Sequence, residues 1–153
     1  MKVATICYVQ SEGKTLLICC KGKKDDRFNN KYNGLGGKLL KGETPEEGAI
    51  REVLEESGLR VEHPRLAGYI LFPHMGENDD LLCFVYVFEG YSGTLKESSE
   101  GTLQWVETAK ILEMPTWESD KHMLAWVLQK RLFSARFIYE GDTIKDWNVV
   151  FFD

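Results

Sequence analysis

Residues 2–10 and 14–21 carry short apolar runs of strand length, Ile6 to Val9 and Leu16 to Cys20, and the turn Ser11-Glu12-Gly13 between them predicts a hairpin. Residues 22–33 are polar, basic at their start, and read as a loop. The spacing becomes that of a helix over residues 44–57, where Ala49, Ile50, Val53 and Leu54 form an apolar stripe. Both ends of that helix are signalled. Thr44 can cap it, Pro45 suits the first turn, Glu47 completes a capping-box pattern, and Gly58 supplies the stop. Strand-like patterns return over residues 65–73 and 81–89, joined by the turn-rich Gly76-Glu77-Asn78-Asp79-Asp80, and again over 102–106. Residues 120–130 have helical spacing, with Met123, Leu124, Trp126 and Val127 near one side. Residues 133–152 read as a hairpin turning at Gly141-Asp142. Mixed strands with two or three helices, and no regular βα alternation, predict an α+β fold. With no linker, repeat or low-complexity tract, residues 1–153 read as a single domain.

Composition narrows the class. The 153 residues suffice for one sizeable core, and 43% hydrophobic with 28% charged residues exclude a disordered tail or a membrane protein. No apolar run approaches a bilayer span, and the opening residues are too short and too alternating for a signal peptide, so the expected location is the cytoplasm. The net charge of -5 leaves no excess of cations for duplex nucleic acid or an anionic membrane. The basic cluster Lys21-Gly22-Lys23-Lys24 accordingly reads as a solvated loop. An acidic protein can still bind phosphates where metal ions bridge the two. Cys7, Cys19, Cys20 and Cys83 form no C-x-x-C pair and read as small buried hydrophobes in a reducing compartment rather than as zinc or redox groups. The pattern leaves monomer and homodimer both open.

The chemistry concentrates between Gly36 and Leu59. Glu52, Glu55 and Glu56 fall at i, i+3 and i+4 on the expected helix and share an arc of about 100°. Like charges so placed destabilise a helix, a cost most naturally tolerated if something cationic occupies the face. Carboxylate oxygens are hard ligands suited to Mg²⁺ or Mn²⁺; a plain solvated acidic face is the alternative. Glu43 precedes the cap, where the loop could fold it toward the same place, and Arg51 could orient a carboxylate by a bidentate contact.

The wider spacing is Gly37, five residues, Glu43, seven residues, then Arg51-Glu52-Val53-x-Glu55-Glu56-x-Gly58-Leu59. It resembles the complete Nudix box, with no departure at any fixed position. Chance agreement in such a chain is on the order of 10⁻⁷ or less from average residue frequencies. The resemblance implies a loop–helix–loop in an α/β/α sandwich, and hydrolysis of a nucleoside diphosphate linked to another group. It further implies Mg²⁺ or Mn²⁺ as cofactor. Glu52, Glu55 and Glu56 then become metal ligands, Glu52 the chosen base through water, Arg51 part of the catalytic set, and Gly36 and Gly37 the place where backbone approaches metal or phosphate.

Outside the box the chain resembles the MutT-type branch of that family, which destroys oxidised purine triphosphates such as 8-oxo-dGTP. Four matches carry this. They are Tyr32-Asn33-Gly34-Leu35-Gly36-Gly37-Lys38; Ile70-Leu71-Phe72; Glu100 ahead of a strand ending in Trp105; and Trp117-Glu118-Ser119-Asp120, followed by residues 128–133 and 141–144. By that resemblance Asn33 and Asp120 hydrogen-bond the base edge, while Trp117 and Phe72 cover its faces. Glu100 adds a metal ligand, and Lys21 or Lys23, with Lys38, reach the nucleotide. One departure stands out: Ser119 occupies a position where the branch carries a second aspartate. The readings to separate are three. The chain is a purine nucleoside triphosphate pyrophosphohydrolase; a hydrolase of ADP-ribose, a dinucleoside polyphosphate or a similar metabolite; or a non-catalytic nucleotide- or RNA-binding module.

Overall fold

The computed structural model describes residues 1–20, 30–75 and 78–153. Among them, strands β1 (Lys2–Ser11) and β2 (Lys14–Cys20) form the expected hairpin, followed by the two-residue strand β3 (Tyr32–Asn33) and helix α1 (Pro45–Ser57). Strands β4 (Arg65–Phe72), β5 (Leu81–Glu89) and β6 (Gly101–Glu107) come next. A 3-10 turn (Thr108–Glu113), helix α2 (Glu118–Leu128) and the hairpin of β7 (Phe133–Glu140) and β8 (Thr143–Phe151) complete the chain.

The strands lie in the order β3-β2-β1-β5-β4-β7-β8, with β6 pairing β2. β1 runs parallel to β5 and β4 parallel to β7, and the other pairs are antiparallel. The sheet is therefore mixed, as an α+β chain requires.

Strand alternation divides the core between the two faces. On one face Cys7, Val9, Tyr86 and Phe88 meet Ala49 and Val53 of α1. On the other, Ala4, Tyr8, Val85 and Phe137 meet Met123, Leu124 and Val127 of α2. Each such Val or Leu, fully buried, is worth about 1.5–3 kcal/mol. The result is the expected α/β/α sandwich. Three cysteines are buried within it, and burial pushes the Cys7 and Cys83 thiols up to about 12, which suits packing rather than reactivity. No helix among the described residues is long and apolar enough to cross a membrane.

β2 pairs β6 along its whole length but β1 only near their shared turn, at Gln10–Thr15 and Ser11–Lys14. The first half of β1 is left needing partners. Residues 34–39 supply them. The Thr5 amide donates to the Gly37 carbonyl (2.9 Å), Cys7 and Leu35 exchange bonds of 2.7 and 3.0 Å, and the Leu39 amide donates to the Val3 carbonyl (3.0 Å). The glycine segment ahead of α1 is thus held as though it were sheet.

Candidate functional site

α1 starts and stops as its sequence signals. Thr44 Oγ1 accepts from the Glu47 amide at 3.1 Å, Glu47 Oε1 accepts from the Thr44 amide at 2.9 Å, and the Gly58 amide donates to the Leu54 carbonyl at 2.9 Å. With Ala49 and Val53 facing the sheet, Glu52 and Glu56 are turned toward residues 36 and 37. Gly36 donates its amide to Glu56 Oε1 at 2.6 Å. Its φ of +127° lies in glycine territory, and a Cβ there would stand 2.1 Å from the Thr5 carbonyl oxygen. At Gly37 a Cβ would meet the Glu52 carboxylate at 2.9 Å, so the missing side chain makes room for that acid. The Gly37 carbonyl accepts from the Thr5 amide at 2.9 Å and from the Thr5 hydroxyl at 3.4 Å.

Arg51 organises the acids. Its Nε and Nη2 donate to Glu43 at 2.6 and 2.9 Å, and its Nη1 reaches Glu52 at 2.9 Å and Glu55 at 3.1 Å. The bidentate contact expected of Arg51 thus forms with Glu43, whose carboxyl it holds down to about 2. Glu56 goes the other way, up to about 7. Burial is the main cause; the negative charges of Glu52, Glu100 and Glu55 add to it, against the Gly36 hydrogen bond. Glu100, exposed and outside the helix, is therefore within electrostatic reach. Among the described residues no three acidic, histidine or cysteine side chains stand close enough to enclose an ion as placed, and Arg51 accounts for this by drawing Glu52 and Glu55 to itself. Lys38 is exposed at the same end, its carbonyl 3.3 Å from Arg51 Nη2, while Lys21 and Lys23 lie outside the described residues.

On the opposite face a cavity of about 330 Å³ opens, within the size range of small-ligand pockets. Asn33, Phe72, Trp117 and Asp120, expected to surround a base, all line it, together with Ile6, Ser119 and Tyr139. Phe72 stands 6.4 Å from Tyr139, centroid to centroid, and Lys31 Nζ lies 4.0 Å from the Trp117 ring centre. Asp120 Oδ2 accepts from the Trp117 amide at 3.3 Å, and burial raises its carboxyl to about 7. Lys31 and Tyr139 were missed from sequence. For Tyr139 a signal existed: odd-numbered residues of β7 share one face, so Phe137 and Tyr139 point together.

Cavity and acidic cluster are tied by one segment. Asn33 lines the first, Gly36 and Gly37 touch the second, and three residues span at most about 11 Å.

Comparison with known proteins extends the likeness over most of the chain. The NUDIX domain profile matches residues 1–127. The oxidized purine nucleoside triphosphate hydrolase of Danio rerio is 35% identical over 94% of this chain and 90% of its own. The mouse protein of the same name is 35% identical over 78% and 77%. Among solved structures, a MutT protein from Bacillus halodurans superposes with a TM-score of 0.85 at 26% identity, covering 97% of each chain.

Proposed function

Because the chain belongs to the Nudix family of hydrolases, we propose that it cleaves purine nucleoside triphosphates, oxidised purines such as 8-oxo-dGTP in particular, to the monophosphate and pyrophosphate. It does so as a single domain, residues 1–153, with Mg²⁺ or Mn²⁺ as cofactor. The observation that supports this reading is the segment 33–37, whose Asn33 lines a base-sized cavity and whose Gly36 and Gly37 touch the acidic cradle.

The donor set fits a hard divalent cation. Glu52, Glu55, Glu56 and Glu100 offer only oxygen, as does the Gly37 carbonyl, and burial, with the charges of Glu52, Glu100 and Glu55 added to it, raises Glu56. These residues would hold the ion. Once bound, such an ion cancels phosphate charge and lowers the pKa of water at the reacting phosphorus.

The chain's own groups do the rest. Glu52 Oε1 is engaged by Arg51, which leaves Oε2 to accept a proton from the attacking water. Arg51 fixes the direction of Glu52 and Glu55, and the Gly36 amide fixes Glu56. Lys38 at the rim supplies a cation for the phosphates. In the cavity, Trp117 and Phe72 cover the base faces, and Asn33 and Asp120 read its edge.

The test is pyrophosphate release, with Mg²⁺, from a panel containing 8-oxo-dGTP, dGTP and ADP-ribose. Hydrolysis of 8-oxo-dGTP ahead of dGTP is expected. Preferential cleavage of ADP-ribose would replace this substrate with a diphosphate-linked metabolite, and inactivity on the whole panel would refute hydrolysis.

A further inference from the structure

At the mouth of α2 the cavity wall holds a pair that neither the acidic cradle nor the stacking residues explain. Tyr139 Oη accepts from the Ser119 amide at 2.8 Å and donates to Ser119 Oγ at 2.7 Å. One phenol oxygen thus both satisfies an amide in the first turn of α2 and engages the side chain of the same residue. The direction of the second bond follows from chemistry: an oxygen already accepting from an amide, and carrying the more acidic proton, donates to the alcohol. Ser119 is only 3% exposed, yet it lines the cavity together with Tyr139.

We propose that Tyr139 is a specificity-determining residue, whose hydroxyl polarises Ser119 Oγ into a hydrogen-bond donor aimed at the cavity and thereby selects a purine with a carbonyl at that edge. An alcohol oxygen that has accepted one strong bond is a better donor and a poorer acceptor. The neighbouring wall groups complete the pattern. Asn33 Nδ2 donates to the Lys31 carbonyl at 3.3 Å and to Cys20 Sγ at 3.7 Å, leaving Asn33 Oδ1 as an acceptor. The Asp120 carboxyl, one oxygen of which accepts from the Trp117 amide, offers its other oxygen as a second acceptor. One donor beside two acceptors matches a keto-purine edge, which offers one carbonyl beside ring N–H and exocyclic amino donors. An amino-purine edge sets its own N–H against the Ser119 proton, and a buried donor facing a donor is costly.

This inference rests on the purine reading given above, and the experiment separates the two. Discrimination is measured as the ratio of kcat/KM for dGTP over dATP, in wild type, Tyr139→Phe and Ser119→Ala. Binding of GMP against AMP is followed in parallel through Trp117 fluorescence, which needs no turnover. Tyr139→Phe keeps the ring. Ser119→Ala keeps the backbone amide bonded to Tyr139, so it protects the test against a Tyr139 variant that folds poorly. Both variants should lower the keto-over-amino ratio about tenfold, through KM rather than kcat, and should lower the binding ratio in step. A Tyr139→Phe protein that melts as wild type does and keeps the ratio within about twofold overturns the inference, as does a wild type that prefers AMP over GMP. A wild type that binds GMP over AMP but hydrolyses no nucleotide refutes the enzymatic reading alone, and the binding ratios of the variants then decide the role of Tyr139.

Discussion

The acidic cradle takes Arg51, Glu52, Glu55 and Glu56 from two turns of one helix, and Gly36 and Gly37 from the segment just before it. The cavity on the other face takes Ile6 from β1, Asn33 from β3, Phe72 from β4, Ser119 and Asp120 from α2 and Tyr139 from β7. In the cradle like charges are crowded and restrained by a single arginine; in the cavity isolated polar groups are set into an apolar wall. The first arrangement is under electrostatic tension and gains from any cation. The second is part of the core, so a change there is felt in folding as well as in recognition.

That contrast can be pressed from both sides. The largest effect is expected from Glu56→Gln. With Mg²⁺ it should lower kcat about 10³-fold, while the melting temperature holds or rises because one of the crowded charges is gone. Loss of stability equal to the loss of activity would mean that Glu56 serves the fold. Arg51→Ala comes next. Three carboxylates lose their common partner, and kcat should fall about 10²-fold, with Tm lower by about 5 °C. Full activity in this variant would remove Arg51 from its positioning role.

In the cavity, Trp117→Ala should raise KM about tenfold, the value of one lost stacking face, with a smaller change in kcat. A pure kcat effect would place Trp117 with the chemistry instead. The smallest effect belongs to Asp120→Asn and appears in the pH dependence of unfolding. Folded Asp120 keeps its proton up to about 7, whereas an unfolded aspartate releases it near its ordinary value of about 4. The folded state therefore binds the extra proton between those values, and stability falls as pH rises through that window. Asparagine cannot titrate, so the variant should lose this part of the slope and be more stable than wild type at pH 8. The ranking of nucleotides should change as well; an unchanged ranking would deny Asp120 its part in reading the base.

The same contrast explains what was legible beforehand. The helix, its caps, the acidic arc and the glycines ahead of it sit within some twenty residues and answer to local rules, so α1 and the cradle are visible in the sequence itself. The salt-bridge partner of Arg51 was open, because only the folded loop brings Glu43 to it. The cavity residues Asn33, Phe72, Trp117 and Asp120 came from family resemblance, since no period or spacing links β3, β4 and the start of α2. The two-residue β3 and the 3-10 turn are too short to leave a periodic signal. Strand order depends on long-range pairing, as when β2 pairs β6 along its whole length. Tyr139 shows a limit of another kind. Its hydroxyl acquires a purpose only through Ser119, twenty positions earlier in the chain.

Three consecutive residues of β1 act as a ruler for the whole molecule. The backbone of Thr5 and Cys7 anchors the glycine segment under α1, and Ile6 between them projects into the opposite cavity. A one-residue insertion ahead of Thr5 would reverse all three at once, carrying a cavity side chain to the acidic face and the anchoring positions away from their partners. Both half-sites are therefore calibrated against one short edge, and the length of that edge is less free to drift than its composition.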